Sequence, residues 1–157
     1  MITIVTGDID SGKTRYLKEL YEKDGKGDGI LSLKCYKEGR FLGYDLFHLK
    51  SGEQTAFIRL KTDLPKDWKE QNEIGRFSFS EQGFILAEKV LSKIETGPIY
   101  IDEIGPIEIW YKKGFYKRLR ELVKNHDDLF LTLRGSLIND FHDEFELLGK
   151  TKIITLK

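Results

Sequence analysis

A single cysteine, Cys35, stands among the 157 residues, so no intramolecular disulfide is possible and the core must hold the fold. Its setting, Leu31-Ser32-Leu33-Lys34-Cys35, alternates like a strand and suits a half-buried structural thiol in a reducing compartment. Net charge is missing too: 26 basic residues balance 26 acidic ones. No global positive field therefore recruits nucleic acid or an anionic membrane, and any polyanion must be met locally. No apolar run is long enough to span a bilayer, and the chain opens on an apparent core strand rather than on a basic start with an apolar block. A soluble, cytoplasmic protein is expected, with no membrane partner and no nucleic acid. The histidines His48, His126 and His142 lack metal-ligand spacing, which argues against zinc. Without a repeat, a low-complexity tract or a linker, the chain reads as one domain over 1–157.

What is present alternates between strand and helix at both ends. Ile2 to Thr6 is a short apolar run, and Lys13 to Lys23 carries Tyr16, Leu17, Leu20 and Tyr21 at helical spacing. Ile30 to Tyr36 and Phe41 to Leu49 alternate around a Glu38-Gly39 turn, which predicts a β-hairpin; Lys37, Arg40 and Lys50 there look like charges guarding a sheet edge. Further strands are expected at Thr55 to Leu60 and Arg76 to Phe79, making the middle of the chain antiparallel. Ser80 can cap a helix running to about Glu95. Pro98 to Ile101 reads as a buried parallel strand, Gly114 to Lys124 as a helix, Leu129 to Leu133 as a strand, Leu137 to Leu148 as a helix and Ile153 to Leu156 as a closing strand.

The first strand feeds Gly7-Asp8-Ile9-Asp10-Ser11-Gly12-Lys13-Thr14, which fits the phosphate-loop pattern G-x-x-x-x-G-K-[ST]. A glycine-bearing turn that opens a helix aims backbone N–H groups inward, where the helix dipole also favours negative charge. Gly7 and Gly12 allow close backbone approach, Lys13 can reach the β- and γ-phosphates, and the Thr14 hydroxyl suits a Mg²⁺ shell. Asp8 and Asp10 would repel a polyphosphate, so both carboxylates are expected to face solvent.

Such a loop needs a carboxylate at the end of a neighbouring parallel strand, and Asp102 sits there, followed by Glu103. Asp102 is the candidate metal-shell acid with Thr14, and Glu103 the candidate for activating the attacking water. Arg59, Arg76 and Arg134 lie near predicted strand ends and are candidate cations for transition-state charge, with Arg134 assigned to the nucleotide edge. Trp68, Phe77 and Phe79 could stack on a base, although aromatics at strand spacing are more often core.

The phosphate loop, the hairpin Gly39-Arg40-Phe41-Leu42-Gly43-Tyr44-Asp45-Leu46, the Gly75-Arg76-Phe77 segment and the run Ile101-Asp102-Glu103-Ile104-Gly105-Pro106-Ile107-Glu108 together resemble the small P-loop nucleoside-triphosphatases of the cancer-related type, over roughly Met1 to Leu133. The resemblance implies an α/β, RecA-like fold, a mainly parallel central sheet flanked by helices with an antiparallel hairpin addition in the middle. It also implies slow Mg²⁺-dependent hydrolysis of several nucleoside triphosphates. Carried over by position, Gly7 to Thr14 would bind phosphates while Asp102 and Glu103 serve metal and water. Arg134 departs from the pattern, standing where members tend to have a histidine after the equivalent strand. Two rival functions use the same loop: a small-molecule or nucleotide kinase, and a nucleotide-dependent binding switch that would display the hairpin Tyr36 to Leu49.

Overall fold

Alternate residues of the central strands face opposite ways, and both faces are apolar, so the sheet must be covered on both sides. The computed structural model describes residues 1–126 and 128–157. In chain order the elements are β1 (Ile2–Gly7), α1 (Lys13–Asp24), β2 (Asp28–Lys37), β3 (Arg40–His48), β4 (Gln54–Leu60), β5 (Glu70–Ile74), β6 (Phe77–Ser80), α2 (Glu81–Leu91), β7 (Ile99–Ile101), α3 (Pro106–Ile109), α4 (Tyr116–Asn125), β8 (Leu129–Thr132), α5 (Ile138–Phe145) and β9 (Thr151–Leu156). Among the described residues nine strands form one sheet in the order β5-β6-β4-β3-β2-β7-β8-β1-β9. From β2 through β7, β8 and β1 to β9 the pairings are parallel, and from β2 through β3, β4 and β6 to β5 they are antiparallel.

The α/β architecture with a parallel half and an antiparallel addition is the one expected. Ile2, Ile4, Ile30, Ile99, Ile101, Leu129 and Leu131 join the large core with residues of α2 to α5, including Phe84, Leu91, Ile107, Leu119 and Phe141. On the other face Leu31 and Tyr100 pack with Leu17 of α1. Tyr100 is fully buried, stacked on Phe130 at 5.1 Å and met edge-on by Tyr21 at 5.7 Å. Ser80 does cap α2, accepting from the Gly83 N–H at 3.0 Å.

Three differences from the sequence reading have physical reasons. The hairpin is a sheet edge only in part: β3 is paired on both sides, by β2 and β4, and Arg40 pairs with Asp63, whereas β2 beyond Ile30 is paired by β3 alone and carries Lys37 on that open side. The edges are β9 and β5, and β5 escaped notice because Glu70-Gln71-Asn72-Glu73-Ile74 has no apolar alternation, which suits an edge that must resist further pairing. Helix α3 is one turn, too short to carry a period, and is marked only by Pro106 at its first position. No helix among the described residues is long and apolar enough to cross a membrane.

Where β2 begins, Asp28 takes the N–H groups of Gly29 and Lys50 on one carboxylate oxygen and His48 Nε2 on the other at 2.5 Å, while Ser51 Oγ meets His48 Nδ1 at 2.6 Å. The Gly52 and Glu53 amides of the same turn are spent on His48 O and Ser51 Oγ, so this chain of side chains is a clamp closing the β3–β4 turn onto β2. Next to it β2 crosses very close to β7: a Cβ on Gly29 would stand 2.0 Å from the Tyr100 carbonyl oxygen. The contact is backbone, so it cannot be relieved by a rotamer change. Gly29→Ala should therefore destabilise the protein by about 3 kcal/mol or more, seen as a lowered urea midpoint at unchanged slope.

Candidate functional site

The turn after β1 places Gly12, in the left-handed region at φ 93°, as the N-cap of α1, whose first turn carries no acidic residue. An N-terminus so composed offers unspent N–H groups and a favourable dipole to an anion. Gly7 is required by space as well as by the motif, since a Cβ there would meet Ser11 Oγ at 2.5 Å and Leu156 O at 2.9 Å. Lys13 is buried and folds back along the loop, donating to Gly7 O at 3.1 Å and Asp8 O at 3.0 Å. Ser11 Oγ and Thr6 Oγ1 are buried without a hydrogen-bond partner among the described residues.

Across the rim, the carboxyl ends of β1 and β7 lie on the same side with β8 between them. Thr14 Oγ1 donates to Asp102 Oδ2 at 2.7 Å, joining residues 88 positions apart. The same oxygen accepts the Ser32 N–H at 3.0 Å, and Asp102 Oδ1 takes the Thr132 hydroxyl at 2.5 Å. Thr132 Oγ1 in turn accepts the Glu103 N–H at 2.7 Å. Glu103 thus leaves β7 with φ 57°, a left-handed turn that a non-glycine residue adopts rarely and that lifts its side chain over the rim. Hard oxygen donors on Thr14 and Asp102 fit Mg²⁺ by chemistry and by convergence.

Loop and acids enclose a cleft of about 440 Å³. Lys13, Arg15, Lys18, Lys34 and Arg134 line it against Asp10 and Glu103, with Ile9, Leu33 and Tyr44 as its apolar and aromatic wall. Burial pushes the Asp102 carboxyl up, opposed by the hydrogen bonds from Thr132, Thr14 and Ser32 and by the Lys13 charge. Burial, then Asp102 beside it, pushes Glu103 up to about 6, with Lys13, Arg134 and Lys34 pulling the other way. Tyr44 is raised first by burial and then by Glu103.

Of the residues singled out in the sequence, Ile9, Asp10, Gly12, Lys13, Thr14, Glu103 and Arg134 line the cleft, Gly7 and Ser11 shape the turn beneath it, and Asp102 lies buried under Thr14. Asp8 is exposed and its carbonyl holds Lys13. Asp10 is largely exposed as expected, but it is not free: it forms an ion pair with Lys34. Arg59 is no cleft cation, being buried against Asp45 Oδ1 at 2.6 Å and the carbonyls of Tyr44 and Ile58. Arg76 lies over the Phe77 ring, 5.2 Å from its centroid, and Trp68 donates to Ser78 Oγ at 2.8 Å. Phe79 packs with Phe57 and Phe84 in the core. Ser32, Lys34, Tyr44 and Thr132 were missed. Polar residues at every second place of β2 were the available signal, since a strand beside the acid-bearing one brings alternate side chains to its rim.

Compared with known proteins, residues 2–157 match the sequence model of the family described as NTPase. The solution structure of a human cancer-related nucleoside triphosphatase superposes with a TM-score of 0.70 at 22% identity, covering 99% of this chain and 88% of that one. The crystal structure of THEP1 from the hyperthermophile Aquifex aeolicus gives a TM-score of 0.73 at 23% identity, covering 100% of this chain and 90% of that one. No curated protein matches the chain.

Behind the acid pair, Glu108 is buried and reaches back to the Gly105 N–H, closing α3 onto the loop that carries Glu103. Burial pushes its carboxyl up to about 8, only partly offset by N–H groups of Gly105 and Phe115. The folded protein therefore keeps a proton that the unfolded chain releases above its ordinary value of 4.5. Its contribution to stability is full below that value and is lost as pH rises towards 8. Glu108→Gln, which cannot ionise, should flatten the fall in thermal stability between pH 5 and 8 and raise Tm at pH 8, with little change near pH 4.5.

Proposed function

The chain belongs to the NTPase family, and from that premise we propose that it hydrolyses nucleoside 5′-triphosphates to the diphosphate and phosphate, with Mg²⁺ and little selectivity for the base. The observation that carries this reading is the 2.7 Å hydrogen bond between Thr14 and Asp102, which brings the glycine turn and the strand-end acids to one cleft. Residues 1–157 act as one domain in this proposal, on free nucleotides in the cytoplasm.

The backbone N–H groups from Gly7 to Thr14 hold the β- and γ-phosphates, and Lys13 exchanges its two carbonyl partners for phosphate oxygens. Thr14 and Asp102 hold Mg²⁺, which neutralises phosphate charge when bound. Glu103 orients a water for attack on the γ-phosphorus and accepts its proton as the new P–O bond forms and the bond to the β-bridging oxygen breaks. Arg134, exposed at the end of β8, contacts the nucleotide from the other side of the cleft. Base selectivity is low because the lining offers charged and apolar side chains rather than a set of buried hydrogen-bonding groups that would reject the wrong ring.

Phosphate release from ATP or GTP with Mg²⁺ and no acceptor is the direct test. Lys13→Ala should bring release to background over long incubation, and equal release by parent and variant would remove the proposal. Glu103→Gln should keep triphosphate binding while slowing turnover by ~10²-fold or more. An unchanged rate in that variant would move water activation to another residue.

A further inference from the structure

Lys34 is not part of any motif, yet it stands in the cleft. On β2 only Asp28 to Ile30 pair with β7, and the strand then continues to Lys37 against β3 alone. Lys34 is directly opposite Tyr44 in that overhang, and two residues before it the Ser32 N–H holds Asp102. Ser32, Lys34 and Tyr44 all line the cleft with Lys13, Thr14 and Glu103. The Lys34 ammonium is bound to the carboxylate of Asp10, a residue inside the phosphate loop that itself sits at φ 63°. Asp10 is thus an acid placed where anions are to be received, and its partner is a cation on the facing wall.

We propose that Lys34 is the γ-phosphate-sensing and transition-state cation of this site, and that Asp10 is its resident counter-ion, displaced by the terminal phosphate of a triphosphate but not by a diphosphate. The assignment rests on the nucleotide-hydrolysis reading. A tail with a γ-phosphate reaches past the loop towards the overhanging end of β2, and its extra charge competes with a single carboxylate that is mostly in solvent. A diphosphate ends nearer the loop and leaves the ion pair intact. Once transferred to the γ-oxygens, Lys34 faces the charge that develops there as the bond to the β-bridging oxygen breaks, the task of a cation in phosphoryl transfer. Asp10 then turns to water, which its left-handed position at the loop's outer face permits.

Four proteins test this: the parent, Lys34→Ala, Lys34→Arg and Asp10→Asn, each checked for an unchanged melting curve. Calorimetry with a β,γ-imido triphosphate and with the matching diphosphate gives the preference for the γ-phosphate, and phosphate release gives kcat and KM. Lys34→Ala should shrink the triphosphate preference about tenfold, raise KM by a similar factor and lower kcat by ~10²-fold. Lys34→Arg should restore most of each, and Asp10→Asn should enlarge the preference because the competing carboxylate is gone. Unchanged preference and kcat in Lys34→Ala, with a parent that does release phosphate, overturns the role of Lys34 and leaves the hydrolase reading standing. A parent that releases no phosphate, with a preference still lost in Lys34→Ala, supports the sensing role, overturns the transition-state role and removes the hydrolase.

Discussion

The Asp102 carboxylate is the knot on which the cleft depends. It is buried, and a buried carboxylate is tolerable only when its oxygens are met by donors. Those donors come from three different elements: Thr14 of α1, the Ser32 amide of β2 and Thr132 of β8. Each pulls a separate part of the chain to the end of β7, so satisfying one acid fixes the relative positions of loop, overhang and central strand. Thr132 does this twice, since the oxygen that donates to Asp102 also accepts from the Glu103 amide and sets where the second acid leaves the sheet.

A similar logic operates one layer out. Arg59 is buried between β3 and β4 with Asp45 and holds the Tyr44 carbonyl at 3.0 Å, so the tyrosine that walls the cleft is anchored by an ion pair away from it. A chain with no net charge nonetheless gathers Lys13, Arg15, Lys18, Lys34 and Arg134 at one opening. The clustering follows from topology: the start of α1 brings three cations, the strand overhang and the end of β8 one each, and the sheet adds these distant segments at one rim.

The residues that announced themselves in the sequence did so through local pattern. The glycines, Lys13 and Thr14 fall within eight consecutive positions, and the Asp102-Glu103 pair ends an apolar run, so both halves of the cleft were visible. The longer helices and most strands were legible for the same reason, because apolar periods of 3.6 and 2 need only a short window. What could not be seen depends on pairing at long range. Nothing around Thr132 distinguishes it from any strand threonine, and its importance comes from a partner 30 residues away. Arg59 looked like a candidate cation because strand ends often face sites, whereas its burial was decided by Asp45 across the sheet. β5 is polar because it is an edge, and a polar strand has no apolar signature to read.

The antiparallel half of the sheet then has a reason to exist beyond adding core. In the parallel half, β7 spans only Ile99 to Ile101 and stops, leaving its acids at an open rim. If β2 ended with its parallel partner, at Ile30, nothing on that side would rise above Asp102. Pairing with β3 lets β2 run seven residues further, from Leu31 to Lys37, at about 3.3 Å per residue. That overhang carries Ser32 under the acid, Leu33 and Lys34 beside the cleft, and Tyr44 opposite them from β3. It forms a wall that could not stand on β7 alone, because an unpaired strand would leave its amides and carbonyls unmet. The helix-opening loop thus supplies the floor, β8 and the acids the back, and the antiparallel addition the side from which a terminal phosphate meets its second lysine.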